Sequence, residues 1–239
     1  MDMTQLLRIT AFATATLLVV APATAYEEMA VSGGGSIQGT VTYNGMVPVK
    51  KIIPTKDQAV CGSPRDEPQI LVGSGGVVQD AVVYLKAVSK GKPWGTPDKT
   101  PVLDNHNCRF DPPIQIIRAG NIDIHNSDPV LHNTHGFYGR RTAFNVALPQ
   151  QGMRVTRELP RSGMVRVECD AHGWMLAHVF VADNPYYALT AKNGGFTLAD
   201  VPPGDYTLVV SQHYAGNTEV PVTVKAGATT KLSIEMKKK

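Results

Sequence analysis

Three side chains that bind soft or borderline metal ions fall three residues apart in VECDAHGWM: Cys169, His172 and Met175. A further imidazole, His132, stands upstream in PVLHN. Two imidazoles, one thiolate and one thioether make a His2Cys set with a weak axial Met, an arrangement suited to copper passing between Cu(I) and Cu(II). Zinc fits the same His and Cys donors but gains little from the thioether. Hydrolysis has less support, because no Ser or Cys nucleophile comes with a spaced His and carboxylate set. The chain is expected not to be an enzyme.

Several neighbours bear on these donors. Asp170 puts a carboxylate beside the thiol. His135 adds an imidazole close to His132, as a competitor for the metal or as a supporting contact. Trp174 follows the loop histidine, where it forms an apolar skirt for docking or packs on the C-terminal part. The other two of the three cysteines, Cys61 and Cys108, lie outside any ligand-like cluster and are candidates for a disulfide, the alternative being two buried thiols. Cys169 is then the odd thiol, which in an oxidising compartment calls for burial or a metal.

The elements that must position these groups are strands. With 22 Gly, 17 Pro and 18% charged residues, turns are frequent and long helices disfavoured. Alternating segments run over 37–43, 78–86, 114–117, 121–126, 154–159, 164–168 and 176–181, separated by turn signals such as Asn44-Gly45. Val165 and Val167 share a face with Cys169, so the thiol points to the apolar interior. The pattern continues to the C-terminus with no sustained helical period. The expected class is all-β, built as sandwiches.

Residues 1–25 combine Arg8, an apolar run and the small-residue end Ala23-Thr24-Ala25, as a cleavable leader does. A periplasmic location and no membrane span in the mature chain are expected. The formal charge of +3 is dispersed, which disfavours nucleic acid as a partner.

The stretch from Phe110 to Ala182, including FDPPIQIIRAGNIDIHNSD, VLHN and LPQQGMRVTRELPRSGMVRVECDAHGWMLAHVFV, resembles the cupredoxins of the short-loop amicyanin kind. The resemblance implies a Greek-key sandwich with one copper per chain on His132, Cys169, His172 and Met175. Asn133 would tether the two ligand loops. It also implies one-electron exchange with a redox partner such as a cytochrome or dehydrogenase. Val167 departs from the family, where an aromatic is common two residues before the cysteine. Further on, GGFTLADVPPGDYTLVV resembles the transthyretin-like modules called carboxypeptidase regulatory-like, with Phe196 and Tyr206 as core and corner residues and Gly204 serving the turn.

Five segments are expected: the leader, 1–25; a flexible lead-in, 26–36; an N-terminal β region, 37–100; the copper domain, 101–182; and the C-terminal module, 183–239. IQGTVTYNG is a candidate part of that module, with the copper domain inserted between its pieces. Chains of this layout are labelled methylamine-utilisation-like, though nothing in this sequence points to methylamine. The leading expectation is an exported copper electron carrier. The alternatives are a copper carrier or metallochaperone without redox cycling, and a scaffold protein with a bound metal.

Overall fold

The computed structural model describes residues 26–95 and 99–238. The expected leader lies outside the described residues. Among those described, no helix is long and apolar enough to cross a membrane.

The structure is all-β, with two packed sandwiches, as the alternating segments led us to expect. Its main strands are β1 (Gly35–Tyr43), β2 (Val82–Lys86), β3 (Val102–His106), β4 (Arg109–Asp111), β5 (Ile114–Arg118), β6 (Gly120–Asn126), β7 (His132–Tyr138) and β8 (Arg141–Leu148). They continue as β9 (Arg154–Leu159), β10 (Gly163–Cys169), β11 (Leu176–Ala182), β12 (Tyr187–Leu189), β13 (Gly195–Val201), β14 (Gly204–Gln212), β15 (Gly216–Val224) and β16 (Thr229–Met236).

In the first sandwich, one sheet has the order β4-β3-β6-β9 and the other β5-β11-β10-β7-β8. Period-two burial decides which residues line the space between them. Ile122, Ile124 and Asn126 of β6 point inward, as do Val165, Val167 and Cys169 of β10. β7 is the surprise, because HNTH reads as a polar loop. Its inward face is His132, Thr134 and Gly136, so a polar strand is buried where the site lies. Gly136 is needed there: the Phe144 ring of β8 covers it so closely that a Cβ would collide.

The second sandwich is discontinuous in sequence. Its sheets run β12-β2-β14-β15 and β13-β1-β16, so β1 and β2 complete a fold otherwise made by residues 187–236. β1 lies parallel to β16 from Ser36↔Thr229 to Tyr43↔Met236. Tyr206 closes the corner, its hydroxyl donating to Pro202 O at 2.9 Å. A small apolar cluster of Val82, Phe180 and Ala182, with Tyr84 against Phe180 at 4.5 Å between ring centroids, joins the two sandwiches. Residues 26–36 are tied down rather than loose. The Tyr26 hydroxyl bonds Lys92 O, and Glu27–Glu28 pairs with Lys90–Gly91.

Residues 51–76, irregular by sequence, fold over one end of the first sandwich. A ribbon of Val49–Ile52 and Arg65–Pro68 brackets a single helical turn, α1 (Gln58–Cys61). The disulfide Cys61–Cys108 pins α1 to the turn between β3 and β4, in the pairing expected from the cysteine count. Both sulfurs join the core of the first sandwich.

Candidate metal centre

Three of the residues singled out by type and spacing meet at one end of the first sandwich. His132 opens β7, Cys169 ends β10, and His172 lies in the loop leading to β11. Register brings the strands together, since Thr134 of β7 pairs with Cys169. Asp170 N–H donates to Asn133 O at 3.0 Å, and Asn133 N–H to Cys169 Sγ at 3.4 Å. The two ligand-bearing segments are thus tied through Asn133, by its backbone rather than its side chain. Met175 N–H closes the loop on His172 O at 2.9 Å, and the methionine is buried in the same core.

The donor atoms converge. Cys169 Sγ is 3.6 Å from His132 Nδ1 and 3.8 Å from His172 Nδ1, and the two Nδ1 atoms are 3.1 Å apart. Each ring has its other nitrogen on a carboxylate: His132 Nε2 on Asp128 Oδ2, and His172 Nε2 on Asp57 Oδ2, both at 2.9 Å. Carboxylates accept hydrogen bonds, so both rings donate from Nε2–H and leave the Nδ1 lone pairs facing each other and the sulfur. Two lone pairs at that separation repel unless a cation or a proton lies between them. Carboxylate–imidazole pairs of this kind orient metal-binding histidines.

The cluster fits a metal on distance as well. Tetrahedral zinc bonds of about 2.0–2.1 Å to nitrogen and about 2.3 Å to sulfur place nitrogens roughly 3.3 Å apart and nitrogen and sulfur roughly 3.6 Å apart. Burial pushes the Cys169 thiol up, against backbone N–H donors that favour the thiolate. Burial also lowers His132, more than Asp128 raises it, so that ring is held neutral with a lone pair to give.

Asp128 is the hub on the His132 side. It accepts from Asn107 N–H at 2.7 Å and Cys108 N–H at 2.9 Å as well as from the imidazole. Asp57 has a left-handed backbone, with φ 51°, which aims its carboxylate at His172 just before α1. The sequence drew attention to neither aspartate. An Asp four residues before a candidate His ligand was the available signal for Asp128. Nothing local marked Asp57.

The flanking residues take other places. His135 bonds Asp170 at 3.1 Å and Thr142 at 3.0 Å on the outer face of β7, so Asp170 pairs with an imidazole there. Trp174 lies against His172, its ring tilted at 55° with centroids 5.1 Å apart, and borders a cleft of about 660 Å³ between the sandwiches. Its buried Nε1 has no partner. Across that cleft His178 of β11 stacks on His213 at 5.0 Å, a pair without any spacing signal.

Burial, the nearby His213 ring and Arg166 push His178 down to about 4, and burial lowers His213 as well. An unfolded histidine titrates near about 6.5, so below that pH the unfolded chain takes up a proton that folded His178 refuses. The contribution of His178 should be constant above about pH 6.5 and fall towards pH 4, by on the order of 3 kcal/mol. Urea melts at pH 7 and pH 4.5 check this: His178→Phe should lose less on acidification than the parent.

A family model, the carboxypeptidase regulatory-like domain, matches residues 162–237. The C-terminal part is similar to such a β-module, although residues 163–182 pair within the first sandwich. No curated protein matches. Solved structures similar to the chain include a reduced amicyanin variant, at 18% identity and TM-score 0.33 over 36% of this chain and 86% of that one. Amicyanin from Paracoccus versutus is similar at 18% identity and TM-score 0.32, over 44% and 100%. A purple cupredoxin from Nitrosopumilus maritimus gives 21% and 0.31, over 34% and 99%. Likeness at this level carries no argument about metal or activity.

The expectation of a type 1 copper centre is corrected. Besides Cys169, His172 has two sulfurs within reach, Cys61 and Cys108, and both are consumed in a disulfide. A disulfide sulfur has no anionic lone pair to give to copper. The copper cofactor, one-electron transport and copper delivery, all expected from sequence, are withdrawn with it.

Proposed function

We propose that this is an exported, non-catalytic protein that takes one borderline-soft divalent ion, of zinc's chemical class, through His132, Cys169 and His172. The observation that carries the reading is the convergence of two imidazole lone pairs and one sulfur, with both rings fixed from behind by carboxylates. Met175, at the loop's end, is the candidate for the fourth place. Zinc supplies positive charge that offsets the facing lone pairs and favours the Cys169 thiolate. Burial favours sequestration over catalysis: Cys169 is 1% exposed and does not line the cleft, so no substrate reaches its sulfur. The disulfide and the leader-like residues 1–25 support a periplasmic setting.

Calorimetric titration of the metal-free chain with Zn(II) tests the reading. One ion per chain is expected, and Cys169→Ser should weaken binding by at least about 100-fold. Equal affinity in the variant would refute the assignment.

A further inference from the structure

We propose that Cys61, Cys108 and His172 form a second site for a thiophilic divalent ion, available only when the Cys61–Cys108 disulfide is reduced. The two sulfurs and a ring nitrogen of His172 lie within 4.8 Å of one another, and all three residues are buried. The pieces are held from different directions. Cys61 ends α1, Cys108 lies in the turn between β3 and β4, and His172 comes from the loop before β11. Cys108 is fixed further by its N–H on Asp128, and it also lies within 4.8 Å of Asp128 and His132.

Reduction needs a dithiol donor, which supplies two electrons and two protons. The Sγ–Sγ bond breaks, each cysteine gains an S–H, and the donor closes to its own disulfide. Metal binding then releases both thiol protons to solvent, the His172 proton moves from Nε2 to Nδ1, and two thiolates and the freed Nε2 remain, a donor set that zinc-class ions favour. Water or the Asp57 carboxylate, already 2.9 Å from His172 Nε2, fills the fourth place. That carboxylate is 40% exposed and gives the ion a charged approach from solvent. In either redox state Cys61 stays fastened to Cys108, by a covalent bond when oxidised and through the ion when reduced.

Cys169→Ser isolates this site, because it removes the thiolate of the first one. Cadmium bound per chain is measured with the thiolate-to-cadmium ultraviolet absorption, before and after reduction with a water-soluble phosphine. The oxidised variant should take up none and the reduced variant one, with the absorption of two thiolates. The triple variant Cys61→Ser/Cys108→Ser/Cys169→Ser should take up none under the same reductant. If reduction loosens the metal-free chain, cadmium should restore its near-ultraviolet circular dichroism, and should fail to do so in the triple variant.

The inference is overturned if the reduced Cys169→Ser chain, with two thiols counted, binds no cadmium. Equal binding by the triple variant also overturns it. Absence of zinc binding by the oxidised parent chain would sink the first site and leave this one standing.

Discussion

Replacing Asp128 by alanine should cost about 3–5 kcal/mol of stability, the range for leaving buried polar partners of a charged group uncompensated. The carboxylate is buried and accepts from three donors: Asn107 N–H, Cys108 N–H and His132 Nε2–H. Alanine leaves Cys108 N–H and His132 Nε2–H without an acceptor in the core, and Asn107 N–H without its partner nearer the surface. It also frees the His132 ring to turn, so zinc affinity should fall by about 10–100-fold. Urea melts of the metal-free chain measure the first effect, and zinc titration of the folded variant the second. Asp128→Asn keeps one oxygen acceptor and should lie between alanine and the parent in both. A loss below about 1 kcal/mol for alanine would mean that Asp128 is not the hub its contacts describe.

The disulfide is the second large contribution. It closes a loop across a sequence separation of 47. Chain-entropy reasoning puts the stabilisation from a loop of that size at about 4 kcal/mol, with measured values typically about 2–4. Cys61→Ser/Cys108→Ser should lose that much in denaturant melts. The loss should be largest for α1 and Asp57, since little else fastens that turn to the sandwich. Hydrogen exchange should show faster exchange around residues 57–62 than in β6 and β10. If Asp57 swings away, His172 loses its Nε2 partner, and zinc binding weakens without any change to a ligand.

The two sandwiches and the loop after β10 were legible because their chemistry is local. Val165, Val167 and Cys169 alternate, and the resemblance of GGFTLADVPPGDYTLVV to a known β-module marks Tyr206 and Gly204 at a corner. The odd cysteine count separated Cys169 from the pair that closes the disulfide. β7 was hidden because its inward face is polar: His132 and Thr134 point into the site, so the strand lacks the apolar alternation that betrays β10. Asp57 was hidden by distance, lying 115 residues from the ring it contacts, in a segment with no regular pattern. His178 and His213 likewise meet only through the packing of one sandwich on the other. The expectation of copper followed from donor types and family likeness. The cysteine count paired Cys61 with Cys108, but nothing in the sequence placed that bonded pair within reach of His172.

X-ray absorption at the zinc edge of the zinc-loaded chain tests the central claim most directly. One sulfur at about 2.3 Å and two imidazole nitrogens at about 2.0–2.1 Å are expected, the sulfur shell vanishing in Cys169→Ser. A first shell of oxygen and nitrogen alone in the parent chain would contradict a centre built on His132, Cys169 and His172.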